Sequence, residues 1–141
     1  MSHNTALSNK INNYHLLAIS IGIVYLWFGT LKFFPGISPA EGLAADTIRI
    51  LTFDLIPDNI SVKILALWET IIGVLLIHFR FKKVALSLAL VHIILTFSPL
   101  LVLPELCFGN SPMQLTLIGQ YIIKNIVFLL ILVILYKNRA N

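Results

Sequence analysis

The chain has 141 residues, of which 58% are hydrophobic and 11% charged, against about a quarter charged in an ordinary soluble domain. A soluble protein this small cannot hide that much apolar surface in one core, whereas lipid lets the outer face of each helix stay apolar. The net charge of +4 does not point to nucleic acid, because the basic residues sit at helix ends without an aromatic-interleaved patch. The single cysteine, Cys107, excludes an internal disulfide, a CxxC redox pair and a cysteine-based zinc site.

Four apolar stretches are each about long enough, at ~20 residues, to cross the hydrocarbon core. They cover residues 14–34, 60–79, 84–103 and 113–136, and predict one all-α domain over 1–141, a four-helix transmembrane bundle. The first stretch is too long for a signal peptide, and Lys32-Phe33-Phe34-Pro35 follows it in place of a small-x-small cleavage site. Between the first and second stretches, Ser38-Pro39-Ala40-Glu41 reads as a capping box with proline at the first helical position. Leu43, Ala44, Ile48, Leu51 and Leu55 then recur at helical spacing, with Asp46 and Arg49 on the other side. The pattern predicts an amphipathic helix over 39–55, lying at the outer membrane surface or covering the bundle. The loop before the fourth stretch holds Cys107, Gly109 and two prolines and reads as a turn.

Basic residues set the orientation. Lys10 precedes the first helix; Arg80, Lys82 and Lys83 lie between the second and third; Lys137 and Arg139 follow the fourth. Four crossings put all of them on one side, the cytoplasm, and both termini with them; three or five crossings would divide the set. Glu41, Asp46, Asp54, Asp58 and Glu105 then lie outside.

The remaining acid, Glu69, falls near mid-membrane, as do His92 and Lys124 on the third and fourth helices. An unpaired charge at that depth costs at least ~2.5–3.5 kcal/mol, so such groups face the bundle and meet one another. The expected pair is Glu69 with Lys124, joined by His92. Helical spacing places Ala66, Glu69 and Gly73 on one stripe, Ala85, Ala89, His92, Thr96 and Pro99 on a second, and Ala18, Gly22, Tyr25, Gly29 and Lys32 on a third. On the fourth helix, Thr116, Gln120 and Lys124 align, with Tyr121 and Asn125 beside them. The expected intramembrane cluster is Glu69, His92, Thr96, Gln120, Tyr121, Lys124 and Asn125. Lys32 is expected to snorkel toward the outer interface, where Glu41 or Asp46 could meet it. The cluster fits a ligand or proton site, and equally a clamp holding helices in register. No nucleotide loop, metal signature or nucleophile with a visible base is present.

The segments Tyr25-Leu26-Trp27-Phe28-Gly29-Thr30-Leu31-Lys32-Phe33 and Ser38-Pro39-Ala40-Glu41-Gly42-Leu43 resemble the first helix and outer loop of DoxX-like membrane proteins. Leu67-Trp68-Glu69-Thr70-Ile71-Ile72-Gly73 is similar to the family's E-x-x-x-G pattern on the second helix. His92 to Pro99 and Gly119-Gln120-Tyr121-Ile122-Ile123-Lys124-Asn125 resemble its third helix and the lysine-bearing start of its fourth. The resemblance implies a bacterial inner-membrane protein. The family takes its name from a small subunit of an archaeal thiosulfate:quinone oxidoreductase, and other members look like partners in oxidative-stress or thiol-stress complexes. It carries no catalytic role over to Glu69, His92 or Lys124, and the lack of a cysteine pair argues against direct dithiol chemistry. The expected function is an accessory or quinone-associated subunit of a membrane redox system, non-catalytic by itself. Its expected partners are the bilayer, a membrane or periplasmic redox protein and a second copy of the chain. A small transporter or proton pathway, and a ligand-free scaffold, are the alternatives.

Overall fold

The computed structural model describes residues 2–78, 82–111 and 113–139. Among the described residues seven helices follow one another: α1 (Ser2–Leu31), α2 (Glu41–Leu51), α3 (Asp58–His78), α4 (Lys82–Leu95), α5 (Pro99–Val102), α6 (Pro104–Cys107) and α7 (Leu117–Arg139). Four of the described segments are long and apolar enough to cross a membrane: Asn13–Leu31, Asp58–His78, Lys83–Val102 and Leu117–Asn138. The chain is therefore a multi-pass, all-α membrane protein. Of the basic residues on which the expected orientation rests, Lys83 and Lys137 are exposed; the side chains of Lys10, Arg80, Lys82 and Arg139 lie outside the described residues.

The spanning helices form a closed ring in which α1 touches α3 and α7, α3 touches α4, and α4 touches α7. Buried side chains from all four make one core, with Ala18, Ile21 and Tyr25 from α1, Ile72 and Leu76 from α3, Ala85, Leu86 and Ala89 from α4, and Leu132 and Leu135 from α7. Large apolar residues such as Trp27, Val91 and Leu130 stay exposed around the outside, which is costly in water and favourable in hydrocarbon.

Among the spanning helices, the most extensive packing is between α1 and α3. A Cβ on Gly73 would stand 2.6 Å from the Leu26 nitrogen, and one on Gly22 would stand 3.0 Å from the Gly73 carbonyl oxygen. Small residues let helix backbones meet in this way, and the close packing drives association where lipid supplies no hydrophobic force.

Several boundaries differ from the sequence expectation. α1 starts well before residue 14 and stops at Leu31, because Pro35 cannot continue a helix and Lys32 to Phe34 close the end with tighter i→i+3 bonds. The third span is a helix in two pieces. Pro99 lacks the N–H that would bond the Leu95 carbonyl; Ser98 Oγ donates to that carbonyl at 2.7 Å, and Thr96 Oγ1 donates to Ile93 at 2.7 Å. The fourth helix begins at Leu117, not at residue 113. Phe108 and Leu115 form a single antiparallel bridge, and Thr116 Oγ1 accepts from the Gly119 N–H at 3.1 Å as an N-cap.

The predicted capping box at Ser38 does not form. Ser38 Oγ has no partner among the described residues. Gly36, at φ +76°, turns the chain so that its N–H donates to Glu41 Oε2 at 2.8 Å. The amphipathic helix is shorter than the expected 39–55 and packs on α3 and α5 through Ala45 and Thr47. Leu51 and Leu55, expected on the covered face, are exposed, because the chain leaves the helix at Thr52 and turns through left-handed Phe53 and Asp54. Arg49 holds this corner, bonding Asp46 at 2.5 Å and lying 3.7 Å from Asp54 and 3.5 Å from Asp58 at the start of α3.

The α1–α3 contact leaves no room for a side chain. Gly73→Ala should destabilise the bundle by about 1–3 kcal/mol, against little change for Gly42→Ala, where a Cβ meets nothing within 4 Å. Unfolding titrations in mixed detergent micelles measure both.

Candidate functional site

α1, α3 and α4 each turn the expected stripe inward. Tyr25, Lys32, Glu69 and His92 are all 7% exposed, and they join in one line. Lys32 Nζ donates to Glu69 Oε2 at 2.6 Å, the short distance of a charge-assisted bond. The other carboxylate oxygen, Oε1, lies 3.2 Å from His92 Nε2. On the far side of the ring, His92 Nδ1 lies 3.0 Å from the Tyr25 hydroxyl, which also reaches the Ala89 carbonyl at 3.4 Å. The line begins at Lys32, in the turn that closes α1, and ends at Tyr25 on α1, seven residues earlier in the chain.

The pairing of Glu69 with Lys124 is thus replaced by Glu69 with Lys32. The physical reason is side-chain direction. Helical side chains lean toward the N-terminus, so Lys32, at the end of α1, reaches back into the bundle and its amine also approaches the Phe28 carbonyl at 3.4 Å. Gly29 makes this reach available: a Cβ there would stand 2.9 Å from Glu69 Cβ. The expected contact of Lys32 with Glu41 or Asp46 does not occur. The same lean carries Lys124, near the start of α7, away from the core, and its amine lies 5.1 Å from the Tyr121 ring centroid. Tyr121 is 61% exposed, and Gln120 and Lys124 are exposed too.

On α7 the inward face is the one through Gly119, Ile122, Leu132 and Leu135, all buried. Gly119 is the signal that marks it: a Cβ would stand 2.1 Å from the Cys107 carbonyl oxygen. Asn125 lies beside this face and donates to Thr96 Oγ1 at 3.0 Å, one turn along α4 from His92. Thr96 and Asn125 thus form a separate bond between α4 and α7. Of the expected cluster, Glu69 and His92 meet, Thr96 and Asn125 meet, and Gln120, Tyr121 and Lys124 join neither pair.

Two residues around the line were not singled out from the sequence. The Trp68 ring stands edge-on to His92 at 5.8 Å, opposite Tyr25 at 5.2 Å. Trp68 Nε1 and Thr70 Oγ1, on either side of Glu69, are buried without a hydrogen-bond partner among the described residues. Buried donors rarely go unmatched; Thr70 Oγ1 is enclosed by the tight α1–α3 crossing, 2.9 Å from where a Cβ on Gly29 would stand, which leaves Trp68 Nε1, beside His92, as the donor to which an acceptor would bind. A concavity of about 500 Å³ opens between the start of α2 and the start of α3, with Ser38, Glu41, Asp58 and Val62 in its walls. Val62 lies two turns along α3 from Glu69. No metal-binding group of His, Cys, Asp and Glu occurs among the described residues. Cys107 is fully buried, and burial together with Glu105 pushes its thiol above the ordinary range, which keeps it protonated and weakly reactive.

Comparison with protein-family models, curated proteins and solved structures returns no match.

The two lysines separate cleanly by test. Lys32→Met leaves Glu69 buried without its cation and should cost about 3–5 kcal/mol, whereas Lys124→Met should change stability by less than about 0.5 kcal/mol. Unfolding of each variant in lipid-detergent mixtures gives the comparison.

Proposed function

We propose that the chain is an accessory subunit of a membrane redox or oxidative-stress system, DoxX-like in kind. In this reading the Lys32–Glu69–His92–Tyr25 line handles a proton within the bilayer. The observation that carries the reading is the continuity of that line: an amine, an acid, an imidazole and a phenol in successive contact at 2.6–3.2 Å, all of them buried inside the bundle. Ionisable groups inside a membrane are expensive, and by default they mark substrate or proton paths.

A quinone fits the donor set. Trp68 Nε1, beside His92, is a donor lacking an acceptor, and a quinone offers a carbonyl oxygen to it; when bound, it supplies a lipid-soluble store of electrons and protons. Glu69 and His92 would hold the proton, Lys32 would keep Glu69 ionised, and the apolar shell of Ile72, Ala89 and Ile93 would exclude water. The basic residues at the end bearing both termini favour a cytoplasmic placement of that end in a bacterial inner membrane. The exposed Gln120, Tyr121 and Lys124 offer a redox partner or a second copy its polar contacts on α7. The exchange of electrons belongs to that partner, so this chain by itself is not assigned a catalytic cycle.

The 2.6 Å Lys32–Glu69 pair favours a second reading, a clamp without ligand. Titration of a quinone analogue into purified protein in nanodiscs, followed by tryptophan fluorescence, separates the two. Saturable binding by the wild type, weakened tenfold or more in His92→Phe, is the expected result. No saturable binding, together with full cellular function of the Lys32→Met/Glu69→Gln double variant, would leave the clamp.

A further inference from the structure

We propose that His92 stores the proton and that the Tyr25 hydroxyl is the rotor that lets it do so; this rests on the reading of the line as a proton-handling group. Glu69, paired with Lys32 at 2.6 Å, is a carboxylate and only accepts. His92 Nε2, 3.2 Å away, therefore carries a hydrogen whenever that contact is a bond. In the neutral ring Nδ1 is then a bare acceptor, and the Tyr25 O–H donates to it across 3.0 Å.

Adding a proton to Nδ1 reverses this contact. The Nδ1–H now donates to the Tyr25 oxygen, and the phenol hydrogen needs a new acceptor. The Ala89 carbonyl, 3.4 Å from the same oxygen, is that acceptor. A rotation about the phenol C–O bond exchanges one partner for the other, so both protonation states of the ring keep their donors matched. In atoms, the bond formed is N–H at Nδ1 and the bond broken is O–H of a hydronium ion, which leaves as water; no electron moves. The net charge of Lys32, Glu69 and His92 goes from zero to +1.

The groups around His92 agree with this assignment. Tyr25 and Lys32 face it from α1, and Glu69 and Trp68 from α3. On α4 its neighbours are Ala89 and Thr96, and from α7 comes Asn125, a neutral amide bonded to Thr96. Lys124 and Tyr121 point away from the core. The Tyr25 hydroxyl bonds the imidazole and reaches the Ala89 carbonyl, so its role is to position and satisfy the imidazole in each state.

The test is nitrogen NMR of histidine-labelled protein in liposomes without added ligand, from about pH 4.5 to 8.5, with His92 identified by its loss in His92→Gln. In the wild type His92 should be the neutral Nε2–H form at the alkaline end and convert to the doubly protonated ring on acidification. The signal of the Tyr25 phenol carbon should move in the same step. Tyr25→Phe, which keeps the ring volume, should retain the Nε2–H form and its Glu69 contact, an internal check on folding, but lose the conversion from this range. An Nδ1–H form at the alkaline end, no conversion in the wild type, or a Tyr25→Phe titration superimposable on it would overturn the inference. Because no quinone is present, failure of quinone binding leaves this result standing, and failure here alongside intact quinone binding removes this inference alone.

Discussion

Everything at the centre of this bundle depends on how near α1 and α3 lie. With Gly22, Gly29 and Gly73 at the crossing, the two backbones meet with no side chain between them. That proximity brings the end of α1 beside Glu69, and only then does the Lys32 amine reach the carboxylate. A wider crossing would leave Glu69 without a cation in a medium where an isolated charge is unfavourable by several kcal/mol. The packing and the electrostatics are therefore one constraint. The same crossing sets Tyr25 on the side of α1 that faces α4, which completes the polar line at its other end.

Four spans and three of the four inward faces could be read from the amino-acid pattern, because small residues and polar residues coincide on α1, α3 and α4. On α7 they separate. Gln120, Tyr121 and Lys124 are more polar than Gly119 and Ile122, but the latter pack, since fitting against the Cys107 carbonyl requires an absent Cβ and places no demand on polarity. The partner of Glu69 was illegible for a related reason. Depth in the membrane, read from residue number, put Lys124 level with Glu69 and Lys32 at the interface. Side-chain lean along the helix moves an amine by about a turn, and moves these two lysines in opposite senses relative to the core. The boundaries around α2 also escaped the pattern, because Gly36 diverts Glu41 from its local cap and Phe53 and Asp54 adopt left-handed backbone.

The polar line is a compromise between rigidity and charge. Lys32 and Glu69 neutralise each other, so the pair sits in hydrocarbon without net charge, and His92 extends it through the second carboxylate oxygen. Trp68 and Tyr25 hold the imidazole between two aromatic edges, restricting the ring to the orientation that serves both neighbours. Around them Ala66, Ile72, Ala85 and Ala89 are fully enclosed, which keeps the effective dielectric low and makes each of these hydrogen bonds stronger than it would be in water.

The placement of the ion pair also bears on how the protein is made. Helices enter the bilayer in the order of their synthesis, so Lys32 is already at the membrane when α3 arrives with Glu69. The first pair to meet is then the one with matched glycines and matched charges, and the acid need never sit in lipid without its counter-charge. His92 and α7 join an assembly whose most difficult residue has been neutralised, and the order of the chain becomes an order of assembly.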